Sequence, residues 1–239
     1  MEKTDSARAT AIQLGFWSAV LMAAFAAVAL AIAIATPPIS GPFCRSGCVS
    51  YPYAGVAAFV PHDYIWMYPG ILLTPLFVVL VASIHSYARP DKKVFSRIAL
   101  SFALISAVAI TMDYFIQLTV IQPSLLKGET EGLALFSQYN PHGVFIALED
   151  LGYLMMSLAF LFMAGAFAGN EGLLRAIRWL FILGALLVFA AFIVLSLVFG
   201  NNLEYRFEVF VITINWIILI AAGVLLAALF RRALKQGAP

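Results

Sequence analysis

The sequence predicts an all-α, polytopic integral membrane protein built as a six-transmembrane-helix bundle, and two observations carry that prediction. Of the 239 residues, 63% are hydrophobic and only 11% are charged, whereas a soluble domain has roughly 45–50% apolar and about 25% charged residues. The apolar residues also occur in long blocks, and a helix of roughly 20 residues crosses a hydrocarbon core about 30 Å thick. Most of the protein surface must therefore face lipid.

Six apolar blocks are long enough to span a membrane. We predict a helix in each, because an open sheet in lipid would leave backbone groups without hydrogen bonds. Together they are expected to form a single transmembrane domain over residues 1–239. The first block is interpreted as a retained anchor rather than a cleaved signal peptide, because it exceeds the roughly 7–15 residues of a signal sequence core. The predicted spans are Leu14–Ala35, Tyr64–Tyr87, Ile98–Ile121, Gly143–Gly169, Trp179–Phe199 and Phe207–Phe230.

Lysine and arginine alternate between the two sides of the predicted bundle. The terminal segments and the connections at 88–97 and 170–178 are rich in these residues, whereas the opposite connections carry only Arg45, Lys127 and Arg206. Basic loops tend to remain in the cytoplasm. The pattern therefore predicts a multi-pass protein of the cell (plasma or inner) membrane with both termini cytoplasmic. The sequence has no run of basic residues that would indicate nucleic-acid binding. The expected partner is the lipid bilayer.

The longest connection, between the first two spans, contains both cysteines of the chain, Cys44 and Cys48. The charge pattern places this loop outside, where the compartment is usually oxidising, and a spacing of four can close a small disulfide loop if the side chains allow it. We predict a Cys44–Cys48 disulfide. The alternatives are two unpaired thiols or a metal-binding pair, and the spacing alone is a weak signal.

Polar residues within the predicted spans recur at helical spacings, so that each set shares one face of its helix. The third span carries Asp113 and Gln117, four residues apart. The fourth carries Glu149 and Tyr153, also four apart, and Asp150 is the neighbour of Glu149. The sixth carries Asn215, seven residues after Glu208.

These faces lie at similar depth, in the half of the bilayer predicted to be outside, and ionisable groups within spans usually face a bundle interior or a water-filled cavity. We therefore predict an acidic, partly hydrated cavity lined by the third, fourth and sixth spans. The alternative is that the polar groups only hold helices together, at about 0.6–2 kcal/mol each. The candidate ligand-binding residues are Asp113, Gln117, Glu149, Asp150, Tyr153 and Asn215.

Three functional hypotheses follow. Carboxylates without matching basic residues in the spans favour a protein that binds or transports a cation, a proton or a small polar molecule. A second hypothesis is a membrane-embedded enzyme acting on a lipid or a quinone, although no recognised catalytic motif is present and three histidines in all leave little scope for metal or haem chemistry. A third is a non-catalytic structural or accessory membrane subunit. No cofactor and no metal site are expected, and the sequence does not determine the oligomeric state.

Overall fold

The computed structural model describes residues 2–167, 169 and 171–236. In this part of the chain the regular structure is entirely helical, with seven α-helices joined by loops and short turns. Six of the seven are long and apolar enough to cross a membrane, and α4 is a short continuation of α3. The all-helical fold and the number of candidate spans are therefore confirmed. The helices are α1 (Glu2–Ala35), α2 (Met67–Tyr87), α3 (Lys93–Ile116), α4 (Gln122–Lys127), α5 (Val144–Ala164), α6 (Gly172–Phe199) and α7 (Tyr205–Gln236).

Several helices extend beyond the apolar blocks from which they were predicted. Helix α6 begins at Gly172 instead of Trp179, and α7 continues to Gln236 instead of ending at Phe230. The added turns contain arginine, lysine and glutamine, which are good helix formers although they are not apolar. Hydropathy therefore marks the part of a helix that suits lipid, and the backbone remains helical past that limit.

The six long helices form a closed ring in which neighbours in space are α1, α2, α3, α5, α6 and α7, and α7 returns to α1. Helix α5 also contacts α7 across the ring. At one end of the bundle, the start of α1 meets the end of α7, where Gly15 faces the ring of Phe230. At the same end His85 of α2 hydrogen bonds to Ser96 of α3, with 2.8 Å between Nδ1 and Oγ. We call this the terminal end.

The opposite end, which we call the loop end, carries the two longest connections, residues 36–66 and 128–143. Tyr205, the first residue of α7, holds both connections. Its hydroxyl donates to the carbonyl of Gln138 at 2.9 Å, so the hydroxyl of Ser40, 2.8 Å away, must donate to Tyr205. The two loops and α7 are thus fixed to one another.

Gly41 allows the first loop to pass directly over Tyr205. Its φ of +67° lies in the left-handed region, which favours glycine, and a Cβ there would stand 2.3 Å from the Tyr205 ring. Three residues further along, the sulfurs of Cys44 and Cys48 lie at the distance of a disulfide bond, as predicted. The first loop is therefore folded back onto the bundle.

Candidate functional site

Three carboxyl groups from three different helices converge near the loop end. Asp113 lies in the last turn of α3, Glu149 in the second turn of α5 and Glu208 in the first turn of α7. Asp113 is 2% exposed and Glu149 is fully buried. Asp113 interacts electrostatically with both glutamates, and the carboxyls of Glu149 and Glu208 are close enough to interact with each other. We call these three residues the acid cluster.

The helix order explains why these residues meet. Helix α5 packs against both α3 and α7, so it stands between the two helices that supply the outer members of the cluster. All three helices have one end at the loop end of the bundle. A carboxyl within two turns of that end on each helix therefore reaches the same depth.

The acid cluster has no basic partner in the described part of the chain. The ion pairs there involve Asp63, Asp91 and Glu204 instead. In addition, Oδ2 of Asp113 and Oε2 of Glu149 are buried and accept no hydrogen bond from a described residue. Burying an unpaired carboxylate is costly. The negative charge of the cluster must therefore be limited by bound protons or balanced by a cation.

A chain of hydrogen bonds leads from α7 to the acid cluster. The indole Nε1–H of Trp216 donates to the hydroxyl of Tyr153 at 2.9 Å. The hydroxyls of Tyr153 and Tyr114 are 3.0 Å apart, and Tyr114 donates to Oε1 of Glu149 at 2.5 Å. Since the single proton of Tyr114 goes to Glu149, Tyr153 must donate to Tyr114. Every donor in the chain thus points towards Glu149.

Glu149 and Glu208 form a carboxyl pair. Two carboxylates cannot hydrogen bond to each other, because neither carries a donor, so their approach requires one proton between them. Glu149 already accepts a hydrogen bond from Tyr114, which stabilises a negative charge on Glu149. A proton shared by the pair would leave it with one negative charge in total, which a cation could balance.

Asp150 lies at the edge of the acid cluster. Its side chain is half-buried, it interacts electrostatically with Glu208 and Glu149, and its Oδ1 is buried without a hydrogen-bond partner. Asp150 thus adds a fourth carboxyl group to the same region.

Two of the residues predicted for the site instead join helices and loops. The amide of Gln117 donates to the carbonyl of Phe136 at 2.6 Å, which ties the end of α3 to the loop before α5. Asn215 exchanges hydrogen bonds with Ser157, and so links α7 to α5. Its amide also donates to Val211. Both amides thus donate to packing partners, whereas Oε1 of Gln117 is buried without a partner among the described residues.

A π-helical turn, Gln117–Ile121, interrupts the α-helical pattern directly after α3. The N–H of Gln117 is shared between the carbonyls of Asp113 and Tyr114. Such turns occur frequently at functional sites. This one lies next to the two residues of α3 that contribute to the acid cluster and its hydrogen-bond chain.

A cavity of about 390 Å³ lies beside the acid cluster at the loop end, between α1, α7 and the two long connections. It differs from the predicted cavity, because α1 and the first loop form one wall and the six predicted site residues do not line it. Glu208 does line it, and is therefore the member of the acid cluster that connects the buried carboxyls with the cavity. Its polar and aromatic walls include Ser40, Asp63, Trp66, Tyr139, Tyr205 and Trp216.

Asp63 contributes a second carboxyl to the cavity, at the start of the second span. Its Oδ2 accepts a hydrogen bond from Tyr139 at 3.1 Å, and its Oδ1 lies 3.0 Å from Nδ1 of His62. Burial raises the pKa of Tyr139, and its neighbours Tyr64 and Asp63 raise it further. Tyr139 therefore keeps its proton and remains a donor to Asp63.

The site residues predicted from the sequence do not include Glu208, Trp66, Trp216 or Tyr114. The spacing of seven between Glu208 and Asn215 was a usable signal, because it puts both on one face of α7. Trp66 carries no signal of its own, since tryptophan near a span end is typical of an interfacial anchor, and Trp216 lies within an apolar span where it is one hydrophobic residue among many. The role of Tyr114 depends on its contact with α5, which no pattern within α3 reveals.

In the described part of the chain, no group of three or more His, Cys, Asp or Glu side chains has the arrangement needed to hold a metal ion. Comparison with known protein families, with curated proteins and with solved structures gave no match for this chain.

Proposed function

We propose that this protein binds a cation or protons at the acid cluster, as the binding step of membrane transport. The observation that carries this proposal is the convergence of Asp113, Glu149 and Glu208 from three helices without a basic partner among the described residues. Structural polar groups in membrane bundles are normally paired with each other or with backbone carbonyls. The unpartnered oxygens of Asp113 and Glu149 leave capacity for a positively charged ligand.

The hydrogen-bond chain supports the proposal because it stabilises a negative charge on Glu149. Each donor from Trp216 to Tyr114 points towards Glu149, and chained hydrogen bonds strengthen one another in a medium of low dielectric. Glu149 can therefore hold a negative charge without a salt bridge. A second charge on Glu208 or Asp113 would repel it, so further ionisation favours uptake of a proton or a cation.

Access to the acid cluster is proposed to run through the cavity. Glu208 is a wall residue of that cavity and also approaches Glu149, so a ligand that enters from the loop end meets Glu208 first. Asp113 and Glu149, which do not line the cavity, then form the deeper part of the site.

The proposed setting is the cell membrane, with both termini in the cytoplasm. The supporting observation is the excess of lysine and arginine in the terminal segments and in the connections at the terminal end, since basic loops tend to remain in the cytoplasm. In this orientation the loop end, the cavity and the acid cluster belong to the outer half of the membrane.

The test uses Asp113→Asn, because asparagine keeps the shape and hydrogen-bonding capacity of the side chain and removes its charge. The thermal unfolding temperature of the purified protein in neutral detergent is measured across acidic to alkaline pH, and with added sodium, potassium or lithium chloride. We expect the wild type to respond to pH or to one of these cations, and Asp113→Asn to fold but lose that response. An unchanged response in Asp113→Asn would refute the role of the acid cluster.

Two further variants separate function from packing. Asp91→Asn changes an aspartate that pairs on the surface with Arg89 and Lys92, so its response should match that of the wild type. Asp113→Leu removes the polar group altogether. If Asp113 served only packing, Asp113→Leu would lower stability while Asp113→Asn would keep the full response to pH and cations.

A further inference from the structure

The walls of the 390 Å³ cavity combine carboxyl groups, aromatic rings and aliphatic side chains. Its carboxyls belong to Glu208 and Asp63. Large aliphatic residues from α1, the first loop and α7 form much of the remaining wall: Leu30, Ile34, Ile39, Val209 and Ile212. Its volume lies within the range of roughly 300–1,000 Å³ that is typical of small-molecule sites.

We propose that this cavity binds an organic ammonium ion with apolar substituents, with the charged nitrogen held by Glu208 and the aromatic ring of Trp66. The proposal deepens the function proposed above, on which it rests, by naming the class of cation that would enter from the loop end.

The sign of the ligand's charge follows from the wall. None of the described residues that line the cavity is a lysine, arginine or histidine. Asp63 is already engaged by Tyr139 and His62. Glu208, in contrast, interacts with other carboxyls, those of Glu149, Asp113 and Asp150, and is therefore the group that gains most from a positive ligand.

The aromatic rings favour an alkylated cation over an inorganic one. The rings of Trp66 and Trp216 have centroids 6.1 Å apart and planes inclined by 58°. The two rings are therefore adjacent but not stacked. Trp66 is half-buried and offers part of its ring to the cavity, whereas Trp216 lines the same wall but is only 1% exposed. Ring faces attract alkylammonium groups through cation–π interactions, whereas hard metal cations require several oxygen ligands.

Aliphatic walls add selectivity for apolar substituents. A hydrated inorganic ion would lose water ligands on entry, and most of the cavity wall offers no oxygen atoms to replace them. An ammonium ion whose positive charge is covered by alkyl groups loses less hydration and buries apolar surface against the same residues. The cavity is therefore better matched to a quaternary or alkylated ammonium than to sodium or potassium.

The experiment measures equilibrium binding of radiolabelled choline to the purified protein in neutral detergent, with tetraethylammonium and benzyltrimethylammonium as competitors. The matched neutral compound is 3,3-dimethylbutan-1-ol, in which carbon replaces the charged nitrogen of choline. We expect the ammonium compounds to bind and the neutral alcohol not to compete at equal concentration. Binding by none of the three ammonium compounds, or equal competition by the alcohol, would overturn the proposal.

Four variants locate the site. Glu208→Gln removes the carboxyl group that can carry a negative charge, and Trp66→Leu replaces an aromatic ring with an aliphatic side chain. Each should weaken choline binding roughly tenfold or more. Glu204→Gln changes a nearby glutamate that pairs with Arg206 and does not line the cavity. Trp17→Leu changes an exposed tryptophan of α1. Both of these controls should bind choline as the wild type does.

The test remains decisive even if one of the two cavity variants does not fold. If Glu208→Gln does not fold, Trp66→Leu still reports on the ring contact, and Trp66→Phe should restore part of the affinity. Unchanged choline binding in folded Glu208→Gln or in Trp66→Leu would place the ligand elsewhere and overturn the proposal.

Failure of this inference is distinguishable from failure of the proposed function. If no ammonium compound binds but the response to pH or alkali cations depends on Asp113, the organic ligand is refuted and the proposed role of the acid cluster is supported. Binding of choline that depends on Glu208 and Trp66, with an Asp113→Asn variant that responds as the wild type does, would support the cavity site and refute the role of the deeper carboxyls.

Discussion

Tyr114 of α3 donates a hydrogen bond to Glu149 of α5, with 2.5 Å between its hydroxyl oxygen and Oε1. Neither side chain is exposed. The bond joins two helices at the depth of the acid cluster, and it is the last link of the hydrogen-bond chain that begins at Trp216. Its partners therefore offer a direct test of how the interior is held together.

Replacing Tyr114 with phenylalanine should destabilise the protein. The ring is kept, but Oε1 of Glu149 loses its donor inside a buried site, which costs about 1–3 kcal/mol. The measurement is the free energy of unfolding from a denaturing-detergent titration of the purified protein. Tyr68→Phe is the control, because Tyr68 is 56% exposed, and its effect should stay within about 0.5 kcal/mol. Equal effects of the two variants would contradict the buried bond.

Replacing Gly223 with alanine should separate α1 from α7. A Cβ at Gly223 would stand 2.7 Å from the backbone oxygen of Ala19, and backbone in a packed helix cannot move aside as a flexible side chain can. Overpacking of this kind costs about 1–3 kcal/mol, which should appear as a lower thermal unfolding temperature. Gly172→Ala is the matched control, because a Cβ at Gly172 meets nothing within 4 Å. The reverse ranking of the two variants would show that this helix contact is misassigned.

The orientation of the bundle can be read from cysteine labelling. In a background with Cys44→Ser and Cys48→Ser, a single cysteine at Asp91 lies in the basic connection between α2 and α3. It should be protected in intact cells from an impermeant maleimide and react after permeabilisation. A single cysteine at the exposed Glu129, in the connection after α4, should react in intact cells. The opposite pattern would place the terminal end outside.

The disulfide can be tested by mass. Cys44 and Cys48 lie at bonding distance in the first loop, so the native protein should take up no alkylating reagent without reductant and two equivalents after reduction. Intact-mass spectrometry of denatured, alkylated samples distinguishes these states. Two alkylated thiols in the unreduced sample would rule the bridge out.

Several features of this protein follow from the sequence alone. Long apolar blocks determine that the chain forms helices able to cross a membrane, because lipid provides no hydrogen bonds for the backbone. The helical period likewise selects Asp113, Glu149 and Tyr153 as inward-facing residues, and all three are buried. These properties depend on a single segment and its solvent, so a local pattern is enough to predict them.

Other features depend on which helices become neighbours. Gln117 and Asn215 share helix faces with Asp113 and Glu208, yet their hydrogen bonds go to Phe136 and Ser157. The period of a helix predicts which way a side chain points but not which partner it meets. Only the packing of α5 between α3 and α7 separates residues of the acid cluster from residues that hold the bundle together.

The cavity is the clearest case of a feature that only the tertiary structure decided. The polar pattern predicts walls on the third, fourth and sixth spans. The sixth span does line the cavity, but α1 and the first loop supply another wall, and Tyr205 holds that loop over the bundle. Loop placement results from contacts between residues far apart in the chain, such as Ser40 and Tyr205. Hydropathy and periodicity describe segments one at a time, so they determined the helices of this protein, and the contacts between segments determined its cavity.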